Sequence, residues 1–66
     1  MVGYKATHGK KQVVIRGCQS WRWCYQVYDD GKLIESVGTW DALPQIKKEL
    51  YKVHNIPTKF YKRFTY

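Results

Sequence analysis

Alternation is the strongest pattern in the chain. Trp21, Trp23, Tyr25 and Val27 are large and apolar, while the interleaved Arg22, Cys24, Gln26 and Tyr28 are mostly able to hydrogen-bond. A period of two puts these sets on opposite faces of a strand, one dry and one chemically active. Upstream, KKQVVIRGCQ carries the β-branched run Val13–Ile15 and predicts an earlier strand, with a break or bulge at Gly17. Downstream, Asp30 and Gly31 both tolerate positive φ and predict a two-residue hairpin. KLIESVGTW is then the third strand, antiparallel to the second. Leu33, Ile34 and Val37 do not share one parity, and a bulge near Glu35 reconciles them.

The period then changes. Leu43, Ile46, Leu50 and Val53 fall in one narrow helical stripe, with Lys48 and Lys52 opposite. Asp41 is the expected N-cap, Pro44 sits in the first turn where a missing N–H costs nothing, Asn55 suits the left-handed C-terminal position, and Pro57 stops continuation. The stripe must cover the Trp23–Tyr25–Val27 face. The expected fold is therefore α+β: a three-stranded antiparallel sheet with one helix across one face. Residues 1–66 form a single small domain with a core over about 12–56. The segment TKFYKRFTY interleaves rings and cations and is either a fourth strand or a basic aromatic tail over 57–66.

Size limits what such a chain does. A domain of 66 residues buries only about 60% of its unfolded surface, too little to enclose a deep substrate cavity. Three Trp, six Tyr and two Phe supply much of the core. No apolar run approaches the ~18 residues of a membrane span, and MVGYKATHGKK lacks the apolar stretch of a signal peptide, so a cytoplasmic location is expected. Cys18 and Cys24 fit neither CxxC zinc spacing nor a disulfide-dense scaffold and are taken as half-buried thiols; no metal and no cofactor is expected. No nucleophile has a nearby histidine in a known pattern and no glycine loop would cradle a phosphate, so catalysis is not expected. His54, close to the apolar stripe, has a capping or packing role.

Charge points to a partner. The net charge is +7, and its distribution matters more than its sum. Residues 1–22 hold Lys5, Lys10, Lys11, Arg16 and Arg22 without an acid, and 52–66 hold Lys52, Lys59, Lys62 and Arg63 without one. Two acid-free flanks on so small a body favour a polyanion. The sheet face not covered by the helix would carry Arg16, Arg22, Cys24, Gln26 and Tyr28, with Lys32 and Ser36 as neighbours. Arg and Gln are the types that read base edges in the major groove, and flanking lysines contact phosphates.

The order RG…WRWCYQVYD…GK…VGTWDA followed by a helix resembles the DNA-binding domain of plant ethylene-response factors. It is also similar to the amino-terminal arm-binding domain of phage and transposon tyrosine integrases. The matching residues, Arg16-Gly17, Trp23, Val27, Asp29, Gly31-Lys32 and Gly38-Thr39-Trp40-Asp41, span roughly 13–54. The resemblance implies a sheet set in the DNA major groove, with Arg16, Gln26 and Tyr28 on DNA, Arg22 beside them, and Trp23 and Val27 in the core.

Taken together, the sequence predicts a non-catalytic protein that binds double-stranded DNA, as a monomer or weak dimer. Arg16, Arg22, Gln26, Tyr28 and Lys32 are the DNA-binding set; Lys10, Lys11, Lys59, Lys62 and Arg63 contact phosphates. Two alternatives stand beside it. One is single-stranded nucleic acid stacked on exposed rings among Trp21, Tyr28, Phe60, Tyr61 and Phe64. The other is an acidic protein surface, such as a host factor met by a phage or mobile-element protein through strand addition. Rings pointing inward favour duplex reading, and rings pointing outward favour stacking or a protein interface.

Overall fold

The computed structural model describes all 66 residues. Its strands are β1 (Val2–His8), β2 (Lys11–Arg16), β3 (Trp23–Asp29), β4 (Lys32–Thr39) and β5 (Lys62–Thr65). Helix α1 (Leu43–His54) and a single 3-10 turn at Thr58–Phe60 lie between β4 and β5. All pairings are antiparallel, and the sheet runs β4-β3-β2-β1-β5. The α+β class is as expected, but the sheet has five strands rather than three. The polar start MVGYKATHGKK supplies one of them, pairing along the whole of β2, and TKFYKRFTY supplies the other on its far side. β5 is an edge strand of four residues with one partner, too short for a clear alternation. β1 lies between β2 and β5, and its core-facing positions, Val2, Tyr4, Ala6 and His8, include only small or part-polar side chains besides Val2.

The hairpins follow the local sequence. Asp30 (φ 52°) and Gly31 (φ 82°) both adopt the left-handed region that a two-residue turn demands. The bulge falls beside its expected place: Val27 pairs Glu35 but Tyr28 pairs Leu33, leaving Ile34 as the extra residue. Glu35 consequently faces the helix side, and both Leu33 and Ile34 are exposed.

α1 carries the chain from β4 at one edge to β5 at the other. Its N-cap is Ala42, with no side-chain cap, rather than Asp41. The first turn is tight, since the N–H groups of Gln45 and Ile46 both donate to the Ala42 carbonyl, and Asp41 instead donates its own N–H to Thr39 Oγ1. At the other end Asn55 (φ 62°) closes the helix, and the Ile56 N–H reaches back to the Leu50 carbonyl. That wrap drops Ile56 into the core, while Val53 of the predicted stripe is exposed. His54 takes the inward position, four residues after Leu50.

The core is Ala6, Val13, Ile15, Tyr25, Val27, Ile46, Leu50 and Ile56. The alternation in β3 thus has the predicted phase, with Tyr25 and Val27 buried and Trp23 half-buried against them. Lys47 lies over the rings of both Tyr4 and Tyr61, closing the helix onto β1 and the start of β5.

Candidate nucleic-acid interface

Opposed residues of an antiparallel pair share a face, so the strand register reads out the uncovered side directly. It consists of three rows crossing the sheet. The first runs Gly38–Cys24–Arg16–Gly3–Phe64 through all five strands. The second runs Ser36–Gln26–Val14–Lys5–Lys62, and the third Leu33–Tyr28–Gln12–Thr7, ending at β1 because β5 stops short.

The first row is built around its glycines. Trp21, in the loop over residues 17–22, lies against Gly38, and its ring also tilts against Trp40 with centroids 6.0 Å apart. At the opposite end Phe64 lies so close to Gly3 that a Cβ there would come within 2.8 Å of the ring. Tyr66 continues this cluster, 5.7 Å from Phe64 between centroids, and donates its hydroxyl to the Gly17 carbonyl at 3.3 Å. Cations overlie the same rings: Lys5 Nζ is 5.4 Å from the Phe64 centroid and the Arg16 guanidinium 5.6 Å from that of Tyr66. Four rings at the margins of the sheet are exposed: Trp21 (43%), Trp40 (65%), Phe60 (41%) and Tyr66 (46%).

Cys18 and Cys24 are not free thiols. They form a disulfide, with Cα atoms 5.9 Å apart, which ties the Trp21 loop to the row. Six-residue spacing gave no sign of this, because it matches no metal or scaffold pattern and the bond depends on how the loop folds back.

All five acids lie away from the uncovered rows. Glu35 pairs with Val27 on the helix side, Asp29 with Lys11 and Lys32, Asp30 is in a turn, and Asp41 and Glu49 belong to α1 and its entry. On the helix side His54 links two strands. With its proton on Nε2 it donates to Glu35 Oε2 at 3.4 Å and accepts at Nδ1 from Lys11 Nζ at 3.2 Å.

The predicted site residues divide accordingly. Arg16, Gln26, Tyr28 and Lys62 are brought together on the uncovered face. Arg22 precedes β3 in the Trp21 loop rather than standing on the strand, Lys10 is at the tip of the β1–β2 hairpin, and Lys59 is in the 3-10 turn. Lys32 is opposite Asp29 and so faces the helix side, its expected place being taken by Leu33; Lys11 and Arg63 also face that side. Tyr66, Trp40 and the two seating glycines were not anticipated, and Lys5 was expected only as part of a basic flank. Of the rings expected to stack, Trp21 and Phe60 are exposed while Tyr28, Tyr61 and Phe64 are half-buried. The one available signal was Gly38 inside the predicted strand KLIESVGTW, since an interior glycine marks a close approach.

No group of three or more His, Cys, Asp or Glu side chains is placed to hold a metal. No helix is long and apolar enough to cross a membrane. Comparison of the chain with protein-family models, with curated proteins and with solved structures finds no match in any of the three.

Proposed function

We propose that this protein binds single-stranded nucleic acid across the uncovered face of its sheet, without catalysing a reaction on it. The observation that carries this reading is the first cross-sheet row: exposed rings at both ends, cations lying on rings between them, and no acid among them. Unpaired bases stack on such rings regardless of sequence, at about 1–3 kcal/mol per base, while Arg16, Arg22, Lys5 and Lys62 neutralise phosphates.

Duplex docking, first on sequence grounds, becomes the second reading. A three-stranded sheet is about 10 Å across, comparable to the ~12 Å major groove, but five strands span about 19 Å. Gln26 beside Ser36 at the centre of the sheet favours base-edge contact, and β2–β4 with α1 is the part of the chain covered by the resemblance to ethylene-response-factor domains. β1 and β5 would meet the groove wall before those residues reached the bases.

Fluorescence anisotropy with a labelled oligonucleotide, single-stranded and then annealed to its complement, tests the choice. Tighter binding of the single strand, weakened by Trp21→Ala, is expected. Tighter binding of the duplex, unaffected by Trp21→Ala, would restore the groove-docking reading, and no binding of either at low salt would remove nucleic acid as the partner.

A further inference from the structure

Lys5 and Lys62 stand directly opposite one another on β1 and β5, on the uncovered face. Like charges in this arrangement repel, and no carboxylate nearby offsets them: the one carboxylate that meets a basic side chain, Glu35, lies 3.4 Å from His54 on the other side. The ring of Phe64 beneath Lys5 carries no net charge to neutralise either ammonium. Lys62 opens β5, and the 3-10 turn just before it brings Lys59 and Phe60 alongside. The result is a groove of about 590 Å³ lined by Lys5, Lys59, Lys62, Phe60, Gln12 and Thr7, without a carboxylate. Gln12 and Thr7 supply neutral hydrogen-bond donors, and Phe60, set edge-on to His8, presents an exposed ring.

We infer that this corner is a phosphate site: it takes a phosphate group on Lys5, Lys62 and Lys59, with a base attached to that group resting on Phe60. A dianion placed there converts the unfavourable lysine pair into a favourable three-body contact, which a solvated basic surface has no need of. The phosphate belongs either to a strand lying on the sheet or to a free nucleotide. The inference deepens the binding reading above, but its evidence is the lysine pair and the groove rather than the row of rings.

The test titrates inorganic phosphate into the intact protein at constant ionic strength, with chloride as the reference, following amide shifts and the thermal midpoint. Saturable shifts centred on Lys5, Gln12, Lys59 and Lys62, with a rising midpoint, are expected. Lys5→Glu should behave in two opposite ways. It creates an attractive pair with Lys62 and raises the midpoint of the ligand-free protein by about 2–6 °C, and it weakens phosphate about tenfold or more. Lys62→Gln should relieve the repulsion and weaken phosphate in the same sense. A nucleoside monophosphate should bind more tightly than inorganic phosphate because its base rests on Phe60, and equal binding would overturn the Phe60 contact. An oligonucleotide that binds more tightly still and displaces the monophosphate identifies a strand, and one that does not identifies a free nucleotide. If phosphate acts no differently from chloride, or Lys5→Glu keeps the full phosphate response, the inference is wrong. Phosphate binding in a protein that ignores oligonucleotides would leave this site standing and dismiss the single-strand reading alone.

Discussion

The indole of Trp21 lies against the backbone of Gly38 at the point where any side chain on residue 38 would stand. The glycine is therefore a seat for the ring, and its backbone conformation requires no glycine. Gly38→Ala should leave the fold intact, displace Trp21 into solvent and weaken single-strand binding about fivefold or more, as Trp21→Ala does. Tryptophan fluorescence and anisotropy read the two effects together. Gly3→Ala makes a useful contrast. A Cβ at Gly3 would meet the Ile15 carbonyl at 2.7 Å as well as the Phe64 ring, so this change should cost stability, about 1–3 kcal/mol, through the backbone of the sheet.

Reducing the Cys18–Cys24 bond should loosen the same ring by another route. No backbone hydrogen bond outside the strands holds residues 17–22; the disulfide, the Gly38 contact and the Tyr66 hydroxyl do so. Opening this short loop is expected to lower stability by about 2 kcal/mol and the melting midpoint by about 10 °C. Affinity for a single strand should fall with it. The Cys18→Ser, Cys24→Ser double variant should match the reduced protein and ignore a dithiol. Disulfides persist in oxidising compartments, so the thiol state of protein recovered from its native setting bears on the cytoplasmic expectation as well. Unchanged melting on reduction would show that the bond constrains nothing.

Tyr61 should impose an alkaline limit. Burial, and to a lesser degree the neighbouring Tyr25, push its phenol up to about 12, and its hydroxyl is buried without a partner. Tyr25 is raised in the same direction by burial and then by Glu35, Glu49 and Asp41. A proton held more tightly in the folded than in the unfolded chain gives stability that is complete below about pH 10 and lost as pH rises toward about 12. Tyr61→Phe removes the orphan hydroxyl while keeping the ring under Lys47. It should stabilise the protein at neutral pH by about 1 kcal/mol and flatten the alkaline fall, as followed by urea midpoints across pH. A less stable phenylalanine variant would mean that the hydroxyl has a partner.

Salt dependence should separate the two sides of the sheet. Arg16→Ala and Lys62→Ala should each reduce the slope of log affinity against log salt by about 0.7, the value per phosphate on a single strand. Lys11→Ala and Lys32→Ala, whose side chains face the helix side, should leave the slope unchanged. Equal losses from all four would indicate a diffuse field with no docking face.

The sequence by itself determined the centre of this protein. Alternation in Trp23–Asp29, the Asp30-Gly31 turn and the Leu43–Ile46–Leu50 spacing are local signals, and each requires only neighbouring residues to agree. Once the helix was assigned to the odd-numbered face, the placement of Gln26 and Arg16 on the other followed from the pleat. Tertiary structure decided the rest. β5 carries a weak pattern of its own and exists because β1, itself held by a local hairpin to β2, offered it a partner up to 63 residues away, as in the Val2–Thr65 register. The bulge at Ile34 shifted the parity of everything toward the hairpin and so exchanged Lys32 for Leu33 on the uncovered face. The Cys18–Cys24 bond and the seating of Trp21 on Gly38 depend on how a loop returns over a sheet, a long-range condition that spacing alone does not encode.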